Sequence, residues 1–215
     1  MDGCKFKVRR KPWELPFLAE PEQVGGLRNI VRLHLGLWGL QHLVASAQLC
    51  MTELVTNVIT HVGCGTPTTL AVSMNGQFLR LEVTDPDPRA LPTLLAATDH
   101  GESGRGIAVV DAVASRWGVI LRADSKVTWC ELATGLRSAD DHVGGASVDT
   151  AEALLSLCCT NPDREASHPP GVAVAEEVAI KMMASLLYWL RAHGCAPYEA
   201  LERAQGHFEA GVRGA

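Results

Sequence analysis

The first two-thirds of the 215-residue sequence predicts an α+β fold, a two-layer α/β sandwich with helices on one face of a mixed, largely antiparallel sheet. Three observations predict it. Two long stretches carry apolar residues at helical spacing, and a strand pair then brackets Asn75-Gly76. One further helix leads into the closing strands "WGVILRA" and "VTWCELA". Beyond residue 137 strand patterning stops, and the remainder predicts an all-helical appendage.

The elements follow in order. "WELPFLAE" reads as a short edge strand limited by Pro12 and Pro16, since proline cannot donate to a ladder. From Pro21 to Trp38, Val24, Leu27, Ile30, Val31, Leu35 and Trp38 recur on one helical face, and Gly39 stops the helix. A second helix covers Gln41 to Val62, ended by Gly63-Cys64-Gly65. "TTLAVSM" and "QFLRLEVT" then flank Asn75-Gly76 as a β-hairpin, and Asp85-Pro86-Asp87-Pro88 ends its second strand. After "GESGRG", Ile107, Val110 and Val113 line a short helix, and two strands joined at "DSK" complete the sheet.

The expected domains are a basic segment at 1–13, an α+β domain at 14–137, a Ser/Asp/Gly-rich linker at 138–147 and helices at 148–215. The helices of the last part are expected near Val148–Cys159, Val172–Ala192 and Pro197–Ala210, interrupted by Pro162, Pro169 and Pro170. In "ASLLYWL", Leu186, Leu187, Tyr188 and Trp189 read as core or as a partner surface.

A formal charge of −5 argues against bulk attraction to nucleic acid or to an anionic membrane. The exception is Lys5, Lys7, Arg9, Arg10 and Lys11, which read as a solvated terminus. Seven cysteines without a CxxC pair suit buried, reduced thiols, and Cys158-Cys159 receives no function. No signal peptide opens the chain, and its apolar runs read as too interrupted to span a bilayer, so a cytoplasmic protein is expected.

Three polar signals could carry chemistry. Glu53, Asn57 and His61 recur every four residues along one helix face. A merely solvated face favours better helix formers than Asn, Thr and His. Asp85 ends a strand, and Gly101-Glu102-Ser103-Gly104-Arg105-Gly106 opens a helix. A helix N-terminus with glycines offers free N–H groups to a phosphate, without a Cβ in the way. The Asn57 oxygen suits Mg²⁺, the Glu53 carboxylate could accept a proton from an attacking hydroxyl, and Asp85 could accept from an exocyclic amine such as adenine's.

These residues carry a resemblance. Residues 14–134 are similar to the ATPase superfamily of gyrase B, MutL and sensor histidine kinases, and especially to actinobacterial anti-sigma-factor serine/threonine kinases. "ELVTNVITH" resembles the N box of that family, "VTDPDP" its first glycine box, "GRGIAVVDAVASRWGV" its second, and "KVTWCEL" its terminal strand. The resemblance implies ATP and Mg²⁺ as cofactors, with Glu53 as general base, Asn57 as magnesium ligand and Asp85 as the adenine-reading carboxylate. It places Gly101, Ser103, Gly104, Arg105 and Gly106 at the phosphates, with His61 beside them. It further implies a sigma factor, or a small antagonist protein phosphorylated on serine or threonine, as partner, and leaves a homodimer open.

Two departures stand out. The family's Asp-x-Gly-x-Gly is Asp85-Pro86-Asp87-Pro88-Arg89 here, which removes backbone donors. Only about fifteen residues separate Asp85 from Gly101, leaving little room for a long lid. A non-catalytic ATP-sensing interaction module is therefore the alternative reading. A phosphotransfer component is a third, disfavoured because no phosphoacceptor helix precedes the domain and His34 sits on an apolar helix, where it reads as a core-side residue.

Overall fold

The computed structural model describes residues 7, 10–88, 105–143, 153–154, 157, 171–192 and 196–213. The chain forms two compact units, Met1–Val143 and Gly144–Ala215. In the first, β1 (Trp13–Ala19), β2 (Thr66–Asn75), β3 (Phe78–Asp85), β4 (Arg116–Leu121) and β5 (Lys126–Ala133) make one sheet in the order β1-β2-β3-β5-β4. Every pairing is antiparallel. The helices of this unit are α1 (Pro21–Leu37), α2 (Val44–His61) and α3 (Arg105–Val113), with a 3₁₀ turn at Gln41–Leu43.

Period-two alternation assigns the two faces of the sheet. Leu70, Val72, Leu79, Leu81, Val83, Cys130 and Leu132 point into the core, where they meet Leu27, Val31 and Leu35 of α1 and Cys50, Met51, Leu54, Val55 and Val58 of α2. Leu54 is 1% exposed, and burying such a side chain contributes about 1.5–3 kcal/mol. The sheet fixes this direction for α2, because only its apolar side can lie against those leucines. The same helix, with the 3₁₀ turn before it (Gln41–His61, 21 residues), has the length to cross a membrane, and its most apolar 18-residue window has a mean hydropathy of 1.3. Its apolar side is spent on the sheet instead. The interrupted-run reading thus understated the hydropathy of this segment.

Local signals act where the sequence placed them. Pro21 starts α1 at a position whose N–H needs no partner. Gly39, at φ 69°, ends it in a Schellman arrangement: Leu40 N–H donates to the Leu35 carbonyl at 2.8 Å and Gly39 N–H to that of Gly36 at 3.1 Å. The expected edge strand is β1, at the border of the sheet. Its Trp13 stacks on His34 with ring centroids 4.6 Å apart, so His34 is a half-buried packing residue. The β2–β3 hairpin differs by one residue from expectation. Asn75 pairs with Phe78, so the loop is Gly76-Gln77, with φ 59° at its first residue. Glycine at the first central position suits a II′ turn better than the Asn-Gly I′ pattern.

The sheet face away from the helices is polar and aromatic. Glu131, 1% exposed, has Arg80 and Arg116 opposite it on the two neighbouring strands. It accepts from Asn75 Nδ2 at 2.7 Å and Arg80 at 2.9 Å, and pairs with Arg116 Nε. Arg80 lies 4.2 Å from the centroid of the Trp129 ring and Arg116 4.3 Å from that of Phe78.

Arg10 departs from the solvated terminus expected for the basic segment. It is 8% exposed and donates to the carbonyls of Trp38 at 2.9 Å, Ala139 at 2.8 Å and Asp141 at 2.7 Å. Lys7 adds an exposed pair to Asp140 at 2.8 Å. The start of the expected linker is therefore fastened to the first unit.

In the second unit, α4 (Val172–Ala192) and α5 (Pro197–Arg213) follow the predicted pattern. Leu186 is 61% exposed, and on α5 Tyr198, Leu201, Phe208 and Val212 are exposed. The helix expected near 148–159 lies almost wholly outside the described residues, as do Cys158-Cys159 and the side chains of Tyr188 and Trp189. Of the remaining cysteines, Cys50 and Cys130 are buried and free, and Cys64 is free and exposed. The Cys50 and Cys130 thiols hydrogen-bond one another, which with burial pushes the Cys130 thiol up.

Candidate functional site

The fold brings the polar face of α2 against the start of α3. A Cβ placed on Gly106 would stand 2.7 Å from Glu53 Oε2 and 3.7 Å from Asn57 Oδ1. The backbone of α3's first turn thus passes where a side chain would crowd Glu53, directly beside two of the three residues spaced along α2. The first N–H groups of α3 have no partner within their own helix, and its dipole favours an anion there.

Asn57 adds a second sign of an incomplete site. Its Nδ2 is buried without a hydrogen-bond partner, a situation that costs about 1–3 kcal/mol until a polar group arrives. A half-turn of the amide presents Oδ1 to the same space. Among the described residues no group of three or more His, Cys, Asp or Glu side chains could hold a metal. Mg²⁺ takes few protein ligands when phosphates and water supply the rest, and the Asn57 amide oxygen is of the kind it accepts. Glu53, half-buried and one turn before Asn57, places a carboxylate against the start of α3. These donors fit a magnesium-bound polyphosphate.

Asp85 ends β3 on the helix-facing side of the sheet and is 2% exposed. Its Oδ1 accepts from the Asp87 N–H at 3.0 Å, closing an Asx turn across Pro86. The prolines that replace glycines in this box therefore leave Asp85 firmly oriented. Its Oδ2 lies 3.3 Å from Lys126 Nζ, outside hydrogen-bond geometry, and is otherwise unsatisfied. Lys126 is directly across the β3–β5 ladder and 5% exposed.

Of the other expected residues, only His61 and the backbone of Arg105 are described. His61 is exposed in the last turn of α2, about 12 Å along the axis from Glu53 at 1.5 Å per residue. Gly101, Ser103 and Gly104 lie outside the described residues, as does the side chain of Arg105. Sequence reasoning missed Lys126. The signal was present, a lysine opening the last strand, but only the register shows that it faces Asp85.

Residues 17–129 match the histidine kinase-like ATPase domain, which is more than half of the chain. The chain belongs to the histidine kinase-like ATPase domain family. ATP with Mg²⁺ is the ligand class of that family, which agrees with the donors gathered on α2 and α3. An uncharacterised protein of Streptomyces coelicolor is 48% identical over 85 residues, covering 38% of this chain and 79% of that protein. The crystal structure of the RsbU and RsbW domains of Rv1364c from Mycobacterium tuberculosis aligns with a TM-score of 0.44 at 17% identity. That alignment covers 63% of this chain, which spans about a third of the Mycobacterium chain, 34%.

Proposed function

We propose that this ATPase domain binds Mg²⁺-ATP and acts as an anti-sigma-factor-type serine/threonine kinase. It binds a sigma factor and transfers the terminal phosphoryl group to a serine or threonine of a small antagonist protein, in the cytoplasm. The observation that carries this reading is the approach of Gly106 to Glu53 and Asn57, which brings two separate sequence motifs together.

Each residue has one task in it. Asn57 would hold the magnesium ion, which neutralises charge on the phosphates when bound. The N–H groups of Arg105 and Gly106 would hold phosphate oxygens, with Gly101, Ser103 and Gly104 before them in sequence. Glu53 would accept the proton of the attacking hydroxyl, and Asp85 would accept a hydrogen bond from the base amine. Phosphoryl transfer asks mainly for such positioning, so a compact site suffices.

The second reading, a non-catalytic ATP sensor, draws support from Pro86 and Pro88, which withhold backbone donors where the family has glycines. Labelled-ATP transfer to candidate antagonist proteins separates the two. The kinase reading expects Asn57→Ala to lose Mg-dependent ATP binding, and Glu53→Ala to keep binding but lose transfer. Full ATP binding with no transfer to any cognate antagonist would leave the sensor.

A further inference from the structure

Asp111 is a carboxylate where a helix least favours one. It stands in the last turn of α3, near the negative end of the helix dipole, and aspartate is among the poorer helix formers. Its partner supplies a reason for the choice: the Trp117 indole N–H donates to Asp111 Oδ1 at 2.8 Å. Trp117 lies on β4, opposite Cys130, and its ring is half-buried against the core, so a fixed body carries that donor. Just past the helix, the Ser115 N–H donates to the Glu131 carbonyl at 2.8 Å, and Ser115 Oγ accepts from the Ala133 N–H at 3.2 Å. The far end of α3 is thus pinned to β5, while Ile107 and Val110, 2% and 0% exposed, hold one side of the helix to the core. A pin and one apolar side still permit a swing about the pin, and the Asp111–Trp117 bond is a polar contact that limits it. Gly106 is about 10 Å along the axis from Val113, so a swing of about 5° would carry it by about 1 Å.

We propose that Asp111 is a positioning residue for the phosphate-binding turn: through Trp117 it sets the direction of α3, and with it the place of the Arg105 and Gly106 N–H groups. This rests on the nucleotide-binding reading above. Asp111 itself is exposed and stands about 8 Å along the axis from Gly106, so it acts on the phosphates only through the helix. Hydrogen bonds from backbone N–H groups to phosphate oxygens are strong but weaken steeply out of alignment. A first turn displaced by about 1 Å loses one of them, as near a loss as removing the donor. Water competes for the exposed Asp111–Trp117 bond, so its share in folding is modest, and its effect is read in nucleotide affinity.

The experiment measures Mg-ATP binding by calorimetry to the full chain and to Asp111→Ala, Asp111→Asn, Trp117→Phe and the Asp111→Ala/Trp117→Phe double variant. Urea unfolding of each is followed alongside. Asp111→Ala is expected to bind Mg-ATP about tenfold more weakly, the weight of one charge-assisted hydrogen bond. Asp111→Asn keeps the Oδ1 acceptor and should return to within about threefold of the wild type. Trp117→Phe should weaken binding as Asp111→Ala does, and the double variant should be no weaker than the weaker single one. A role confined to stability would lower the unfolding midpoint and leave the affinity of the folded protein unchanged. That result for Asp111→Ala overturns the inference while leaving nucleotide binding intact. So does an asparagine variant as weak as the alanine one, or a double variant in which the two losses multiply. Should Trp117→Phe or Asp111→Ala fail to fold, the other decides by the same expectation. A wild type that does not bind Mg-ATP defeats the parent reading instead.

Discussion

Gly106→Ala tests whether the position of Glu53 governs chemistry independently of nucleotide binding. The added methyl would sit 2.7 Å from Glu53 Oε2, whereas ordinary contact begins at 3.4 Å. The carboxylate must retreat by about 0.7 Å, and it can, being the end of a flexible side chain. The rotamer strain of about 0.5–1.5 kcal/mol is opposed by alanine's helix preference over glycine, about 0.5–1 kcal/mol. Net stability should change by less than about 1 kcal/mol, or about 4 °C in Tm for a unit of this size. Asn57 Oδ1 would be 3.7 Å away, an ordinary contact, so the proposed magnesium ligand should keep its place. A displacement approaching 1 Å at a reacting group costs about 10–100-fold in rate. Single-turnover hydrolysis of Mg-ATP with enzyme in excess should fall by that factor. In a Glu53→Ala background the same substitution should add almost nothing, because the displaced group is already gone. A wild-type rate in Gly106→Ala, or a full second loss in the double variant, would refute the role given to Glu53.

Two further predictions concern stability. Arg10→Ala removes three charge-assisted hydrogen bonds to main-chain carbonyls, whose partial rehydration limits the cost to about 2–3 kcal/mol. Urea unfolding should show it, with faster hydrogen exchange at residues 138–141. For Glu131, burial pushes the carboxyl up, but Asn75, Arg80 and Arg116 together hold it below its ordinary 4.5. Its stabilisation is therefore complete above pH 4.5 and is lost as pH falls below that value. Glu131→Gln should cost about 2 kcal/mol at pH 7, reduced from a fully buried pair because Arg116 is half-exposed. The gap from wild type should close on acidification; a constant gap down to pH 3 would contradict this.

Much of the fold was legible because local signals and apolar period agree. Pro21, Gly39 and the alternation in "LRLEV" each specify a boundary or a face without any distant contact. The Glu53, Asn57 and Asp85 positions were readable for a related reason: polar residues stand where propensity or burial would choose others. What the sequence hid depends on register and on long-range closure. Lys126 faces Asp85 only because β5 pairs antiparallel with β3 in one register, and Glu131 meets two arginines for the same reason. Arg10 looked like one more charge in a basic run, since its carbonyl partners lie 28 to 131 residues away. The Asn75-Gly76 signal was read one residue early, because a glycine serves either turn type and only pairing of Asn75 with Phe78 chooses.

The Arg10 fastening also bears on where this protein can be cut or joined. One guanidinium ties the lead-in to β1, the end of α1 and residues 139 and 141 to a single point. A fragment ending at 137 would discard two of the three acceptors and bare a buried cation, whereas one ending at 143 would keep the knot.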